Sequence, residues 1–367
     1  YVNQVLPVYR LNDTLPADVS ALLDTIDWFG REKLLGPDEP PTPRVTYWEI
    51  GNEPELTLPW CTPNHPTYTI SPQEYATRYK QITQAMLAVD PTIKVGPCTI
   101  AEVHAAAVLN DPQCQVDFVS YHPYGPLSSF GNHYGDTPES AEMGLRVVKQ
   151  QLLEKHNAFR NAIIASGRDP NRMEYMASEW NPSSWEWECT MRDRRMSQAL
   201  GLAETIFTFA ELKMTAAHYW SYPTSCEPTG EQPMYKVFQM MMEHLGDELI
   251  QSFNDNVNFR MYTTRETATG RLAIWGLNFS EHNDKPVRLR IDNAVVQDVK
   301  IKRLRNLSGD TSLFDGNFSA AQIDVDWVTE ELGRPAGPEI DVVFEDATVT
   351  VVVIEHRKPP RADFDRD

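Results

Sequence analysis

The sequence predicts an α/β fold in which a (β/α) barrel is followed by an antiparallel β-sandwich. Strand-like runs alternate with helical patterns through the first two thirds of the 367 residues, at spacings of ~25 to 50 residues that are typical of βαβ crossovers and a parallel sheet. From about Gly246 onward, short alternating runs replace the helical patterns, so this part is expected to form a separate sandwich of ~110 residues. The predicted domains are residues 1–245, residues 246–358 and a tail of residues 359–367.

Each predicted barrel strand is a short run rich in apolar, β-branched or aromatic residues, and each predicted helix has apolar residues at helical spacing. The strands are placed at 3–9, 45–50, 92–97, 116–122, 173–178 and 216–222. The helices are placed at 15–33, 71–89, 101–109, 141–166, 195–212 and 234–245. The clearest boundary is at Ser71, because a serine cap, a first-turn proline and Glu74 together form a capping box in outline.

The predicted sandwich strands are shorter, and turn-forming residues such as Asn, Asp and Gly separate them. They are placed at 259–263, 272–277, 287–291, 299–304 and 349–354.

The composition favours a neutral partner. A formal net charge of −19 opposes the approach of phosphate backbones and anionic membranes, so neither nucleic acid nor a membrane is expected as a partner. No run approaches the ~20 apolar residues of a membrane helix. Nine tryptophans and fourteen tyrosines offer flat apolar faces that suit sugar rings, although such side chains also fill cores and interfaces.

The five cysteines show neither a CxxC motif nor metal-ligand spacing, and no GxGxxG, P-loop or HExxH motif is present. No cofactor and no metal are therefore expected. Cys189 and Cys226 follow two neighbouring predicted strands, and they are either free thiols or a disulfide. Because the chain begins at Tyr1 without an initiator methionine, we expect a mature, trimmed or partial product. A secreted or extracellular location is also expected.

Two glutamates stand at the ends of predicted strands. Glu53 follows the strand 45–50, and Glu179 follows the strand 173–178. Retaining glycoside hydrolysis needs one carboxylic acid to protonate the leaving oxygen and one carboxylate, ~5 to 5.5 Å away, to attack the anomeric carbon. Asn52, beside Glu53, is placed to hydrogen-bond the 2-hydroxyl of the sugar. Each glutamate alone would be read as a surface acid, but the pair predicts a glycosidase.

The two motifs resemble those of a known group of enzymes. Trp48-Glu49-Ile50-Gly51-Asn52-Glu53-Pro54 resembles the acid/base motif that ends the fourth strand in clan A glycoside hydrolases, and Ser178-Glu179-Trp180-Asn181 resembles the nucleophile motif that ends the seventh. Among these enzymes, families 39 and 51 have the motif sequences that are most similar to these two. The resemblance implies that Glu53 is the acid/base and Glu179 the nucleophile of a (β/α)8-type TIM barrel with a C-terminal sandwich.

The resemblance also implies substrate-binding residues. His122 or Tyr124 is expected to hydrogen-bond near the nucleophile, and Trp220 to form a platform for the sugar. The tryptophans of the two motifs, Trp48 and Trp180, are further candidates. Trp185, which follows the nucleophile motif, either lines another sugar subsite by stacking or packs within its loop.

One feature departs from the clan pattern. At ~30 residues per βα unit, the fourth strand should end well beyond residue 53, so the chain is expected to start near strand three and to lack the strand-two arginine of the clan. Three explanations stay open: a fragment, missing strands supplied by another chain, or an incomplete barrel. Because open sheet edges are usually covered or paired, we favour coverage by a second chain, by a homo-oligomer partner or by a rearranged segment.

The sequence therefore predicts a retaining O-glycoside hydrolase that acts on a neutral or weakly charged oligo- or polysaccharide. The alternative is a carbohydrate-binding or scaffold protein on a degenerate, inactive barrel. Neither the sugar nor the choice between exo and endo action follows from the residues, because substrate choice depends on loops.

Overall fold

The computed structural model describes residues 45–56, 70–127, 137–183, 195–220, 233–254, 258–292, 294–307, 309, 311–313 and 325–357. Several predicted features lie outside these residues: the strand 3–9, the helix 15–33, Trp185, Cys189, Cys226 and the tail 359–367. Cys98 and Cys114 are buried free thiols.

The described residues form thirteen strands and five helices. The first five strands are β1 (Tyr47–Ile50), β2 (Lys94–Thr99), β3 (Phe118–Tyr121), β4 (Glu174–Trp180) and β5 (Ala216–Tyr219). The helices are α1 (Pro72–Val89), α2 (Glu102–Asn110), α3 (Pro138–Ala165), α4 (Met196–Glu211) and α5 (Pro233–His244). Every one of these elements overlaps a predicted one, so the alternation expected from the sequence is confirmed.

The first five strands form one parallel sheet. Their order in space is β1-β2-β3-β4-β5, which is also their order in the chain, and each neighbouring pair is parallel. Successive crossovers that place each strand beside the previous one are typical of a (β/α) barrel. The described residues thus contain a five-stranded, barrel-like sheet, and they do not include the further strands that would close it.

The packing of α1 against this sheet begins at the predicted cap. The Ser71 hydroxyl accepts a hydrogen bond from the amide of Glu74 at 3.2 Å, with Pro72 as the first helical residue. Tyr75, Tyr79 and other α1 side chains then join a hydrophobic core that includes apolar residues of β1, β2 and β3. The helix is therefore fixed at its first turn, directly beside the end of β1.

The C-terminal part of the chain is antiparallel. It contains β6 (Glu248–Asn254), β7 (Phe259–Arg265), β8 (Leu272–Asn278), β9 (Lys285–Arg290), β10 (Val295–Asn306), β11 (Val325–Glu331), β12 (Glu339–Phe344) and β13 (Val349–Arg357). Six strands form one sheet in the order β11-β10-β13-β8-β7-β6, while β12 and β9 form a second. Buried side chains of both sheets share one core. The antiparallel character is confirmed, and β6, β11 and β12 are strands that the sequence analysis missed.

The chain divides into two compact units that interleave along the sequence. The first contains the described residues up to Pro123, Glu154–Trp180 and Lys213–Tyr219. The second contains Tyr124–Leu153, Asn181–Leu212 and the described residues from Trp220 onward. The five parallel strands belong to the first unit and the antiparallel strands to the second. Among the described helices, none is both long and apolar enough to span a bilayer.

Candidate active site

The carboxyl ends of β1, β3 and β4 bring three titratable side chains together. Glu53 follows β1, His122 directly follows β3, and Glu179 is the penultimate residue of β4. One ligand atom from each of the three lies within 4.8 Å of the other two. All three residues belong to the first unit. Glu53 and Glu179, which the sequence analysis paired, thus lie close together in the structure.

The backbone after β1 turns sharply at Glu53. Gly51 and Glu53 both have positive φ angles, 82° and 47°, and the Leu56 amide donates to the Glu53 carbonyl at 3.0 Å. Glycine adopts this conformation readily, whereas a glutamate there is strained by roughly 1 to 3 kcal/mol. Such strained residues occur preferentially at functional sites, and here the turn presents the Glu53 side chain to the end of the sheet.

A tyrosine from α1 holds this turn in place. The hydroxyl of Tyr75, which is fully buried, donates to the Ile50 carbonyl at 2.6 Å. The same oxygen accepts from the amide of Cys98 at 3.3 Å. Because Ile50 ends β1 and Cys98 is near the end of β2, one side chain ties the two strand ends together.

His122 lies between the two carboxylates and is almost completely buried. Its Nδ1 is 2.5 Å from Glu53 Oε1 and 3.4 Å from Glu179 Oε2. On the other side of the ring, Nε2 is 3.1 Å from Ser178 Oγ and 3.3 Å from Cys98 Sγ. The hydroxyls of Ser178 and Ser120 are 2.6 Å apart, which extends the hydrogen-bonded chain away from the carboxylates.

The surroundings of His122 favour its charged form. Burial alone lowers the pKa of this imidazole, but the hydrogen bond to Glu53 and the negative charges of Glu179, Glu53 and Glu49 together raise it above the ordinary value. When charged, the ring donates from Nδ1 towards the carboxylates and from Nε2 towards Ser178. In its charged form, His122 partly neutralises the two carboxylates beside it.

Replacing His122 by glutamine should lower the thermal stability more at about pH 5.5 than at about pH 9. The raised folded-state pKa means that the charged ring stabilises the fold fully below the unfolded value of ~6.5, and this contribution is lost as the pH rises through the folded-state pKa. The measurement is the Tm difference between wild type and H122Q, followed by circular dichroism across this range. The matched control is H218Q, at an exposed histidine of β5. A difference for H122Q that grows with pH would contradict the assignment.

Cys98 is a neutral thiol in this environment. Burial raises the pKa of Cys98 well above its ordinary value, and the negative charge of Glu49 raises it further. A thiol is nucleophilic only as the thiolate. Cys98 is thus a packing and hydrogen-bonding residue, with Sγ 3.7 Å from Asn52 Oδ1.

The separation of the two carboxyl groups distinguishes the two stereochemical outcomes of glycoside hydrolysis. Carboxyl groups in retaining enzymes are ~5 to 5.5 Å apart, whereas inverting enzymes need ~6.5 to 9.5 Å to admit a water molecule. The nearest oxygens of Glu53 and Glu179 lie within 4.8 Å of each other. The two carboxylates therefore approach each other closely at the carboxyl end of the sheet.

The other predicted site residues are placed in different surroundings. Asn52 is exposed beside Glu53. Trp48 and Trp180 are only 4% and 2% exposed, which favours a packing role over contact with a sugar. Tyr124 and Trp220 belong to the second unit, where Trp220 is 40% exposed and its carbonyl accepts from Asn181 Nδ2 at 2.7 Å. Their contact with substrate stays a prediction.

Sequence reasoning missed three residues that support the pair. Tyr75 and Cys98 carry no motif that indicates such a role, and Ser178, although it is the first residue of the nucleophile-like motif, was assigned no role of its own. A usable signal was position alone, because Cys98 and Ser178 lie near the ends of strands that neighbour β1 and β3 in a parallel sheet.

The sequence matches no protein-family model and no curated protein, but solved structures share its fold. An α-L-arabinofuranosidase from Thermotoga maritima, determined with arabinose, has a TM-score of 0.71 at 16% identity, over 92% of this chain and 73% of that one. A family 51 α-L-arabinofuranosidase from Bifidobacterium longum has a TM-score of 0.67 at 14% identity, over 92% and 73%. A family 44 xyloglucanase from Paenibacillus polymyxa has a TM-score of 0.65 at 11% identity, over 96% and 74%. The expected resemblance to clan A glycoside hydrolases is confirmed at the level of the fold.

Proposed function

We propose that this protein is a retaining O-glycoside hydrolase. The observation that carries the proposal is the approach of Glu53 and Glu179 to within 4.8 Å at the carboxyl ends of β1 and β4. Carboxyl ends of parallel strands are where such sheets place catalytic groups, and the structures with the same fold named above are glycosidases.

In the first step, a Glu179 oxygen attacks the anomeric carbon and forms a glycosyl ester. The bond from that carbon to the leaving oxygen breaks, and Glu53 gives its proton to the leaving group. In the second step, Glu53 takes a proton from water, the hydroxide attacks the anomeric carbon, and the ester bond to Glu179 breaks. His122 contacts both carboxylates and holds them at a fixed separation through this exchange of charge.

The substrate we propose is a neutral or weakly charged oligo- or polysaccharide. The net charge of −19 disfavours strongly anionic glycans. The structures with the same fold include α-L-arabinofuranosidases and a xyloglucanase, which supports a carbohydrate substrate. A panel of aryl glycosides and neutral polysaccharides, screened for reducing-sugar release, would identify the sugar.

Covalent trapping tests the proposed mechanism. Incubation with activated 2-fluoro glycosides should produce a burst of leaving group and a protein heavier by one sugar, because the fluorine slows both steps while the activated leaving group speeds only formation of the ester. Peptide mapping should place the label on Glu179. Labelling of Glu174, on the same strand, would overturn the residue assignment, and labelling of neither across several sugars would overturn the mechanism.

The alternative is a carbohydrate-binding or scaffold protein on an inactive barrel. It is favoured by one observation: the described sheet has five strands, and β5 exposes Ala217 and His218. In the enzyme proposal, a segment outside the described residues, a second chain or a homo-oligomer partner completes the barrel. Glycan binding without hydrolysis or labelling would support the alternative.

A further inference from the structure

We propose that Glu53, His122 and Glu179 also form a binding site for a divalent transition-metal ion, represented by Zn²⁺, and that the bound ion inhibits the enzyme. Binding of the ion is independent of the proposed glycosidase activity, whereas inhibition rests on it. No sequence motif indicates this site, because its three ligands come from three separate strand ends and lack the short spacing of a metal motif.

The geometry is close to that of a three-ligand zinc site. Zinc binds imidazole nitrogen and carboxylate oxygen at ~2.0 to 2.2 Å, so the ligands of a tetrahedral ion lie about 3.3 Å apart. Nδ1 of His122 is 2.5 Å from Glu53 Oε1 and 3.4 Å from Glu179 Oε2, and the two carboxylate oxygens lie within 4.8 Å. Small rotations of the two glutamates would equalise these distances.

Burial differs among the three ligands in a way that suits an entering ion. The His122 side chain is 1% exposed and fixed, whereas the Glu53 and Glu179 side chains are 14% and 20% exposed. An ion therefore has access from the carboxylate side and meets a rigid nitrogen at the base of the site. The open side leaves room for a water molecule in the fourth position, as in zinc sites with three protein ligands.

The second nitrogen of His122 already has the partner that a metal-bound histidine requires. When Nδ1 binds a metal, Nε2 carries the proton and donates it to a neighbouring acceptor. Ser178 Oγ lies 3.1 Å from Nε2 and is itself 2.6 Å from Ser120 Oγ. This chain orients the ring with Nδ1 towards the two carboxylates.

The charge and chemistry of the donors select the kind of ion. A metal ion that binds Nδ1 displaces the proton from that nitrogen, and the two carboxylates and the neutral imidazole then carry two negative charges, which one divalent ion neutralises. Imidazole favours Zn²⁺ and Cu²⁺ over Mg²⁺ and Ca²⁺, which prefer oxygen ligands alone. A bound ion would occupy both the nucleophile and the proton donor, so it would compete directly with the glycoside.

The test is titration of metal-free, untagged protein with Zn²⁺ by isothermal calorimetry, with Co²⁺ absorption spectra as a second readout. We expect one ion to bind per chain. The absorption bands of bound Co²⁺ should be those of an ion with a low coordination number. H122Q, E53Q and E179Q should each lose this binding, while S178A should bind roughly 10- to 100-fold more weakly because the hydroxyl that accepts from Nε2 of His122 is missing. H218Q, at the exposed histidine of β5, should bind like wild type. Circular dichroism verifies the fold of each variant.

Zinc binding that persists unchanged in folded H122Q, E53Q and E179Q, or no binding at all, would overturn the proposal. Loss of binding in H218Q but not in H122Q would overturn it as well, because the ion would then bind a surface histidine. On a glycoside that the protein hydrolyses, Zn²⁺ should inhibit competitively and EDTA should restore activity. If no glycoside is hydrolysed, the proposed function fails while the calorimetric result still decides the metal site.

Discussion

Replacing Glu179 by glutamine is expected to lower kcat/KM by ~10⁴-fold or more, because the amide cannot form the glycosyl ester through which the reaction is divided into two steps. The measurement is hydrolysis of an aryl glycoside whose leaving group needs no protonation. With such a substrate, the loss reports the missing nucleophile and not a failure of acid catalysis.

Two further variants make the Glu179 result specific. E179A leaves space for a small anion, so added azide should restore turnover and give a glycosyl azide of inverted configuration. E174Q is the control on the same strand, because Glu174 lies at the opposite end of β4 and forms an ion pair with Lys94. This variant should keep activity within a few-fold of wild type. Rescue by azide with retained configuration would contradict the assignment of Glu179.

Replacing Glu53 by glutamine is expected to lower kcat/KM by ~10²- to 10⁴-fold for substrates with poor leaving groups, the usual contribution of general acid–base catalysis. Substrates with activated leaving groups should still form the intermediate, but its hydrolysis should slow because water lacks its base. The measurements are the burst amplitude and the pH profile of kcat/KM. The limb that reports the acid should disappear in E53Q.

The control for Glu53 lies two residues further along the same turn. Glu55 Oε1 accepts from the Ala101 amide at 3.1 Å, and glutamine retains an oxygen that can accept this hydrogen bond. E55Q should therefore keep both limbs of the pH profile. If E53Q reacted equally slowly with good and poor leaving groups and showed no burst, Glu53 would not be the acid/base.

The layout of the parallel sheet was predictable because its signals are local. Strand-like runs, helical spacing and the cap at Ser71 determined the elements, and the preference for adjacent crossovers determined the strand order. Glu53 and Glu179 follow from that order, since all strand ends of a parallel sheet lie on one side. The contact of His122 with both carboxylates depends on side-chain packing between distant residues, which no local pattern encodes.

The strands that were missed show where local signals fail. β6 and β11 are the edges of the six-stranded sheet, and charged or polar residues on edge strands weaken the apolar alternation that marks a strand. β12 is different, because Glu339–Phe344 alternates exposed and buried residues throughout and was recognisable from its period of two. Its partner β9 was recognised in part.

The interleaving of the two units along the chain affects how the protein is made. A ribosome adds ~5 to 20 residues per second. The interval between the synthesis of Glu53 and that of Glu179 is therefore on the order of 10 s. During that interval β1 has left the ribosome before β4 and β5 exist, and segments of the other unit emerge between them. The two glutamates can therefore meet only after β4 has been made, and a nascent chain stalled before Glu179 would carry an exposed, incomplete sheet for chaperones to protect.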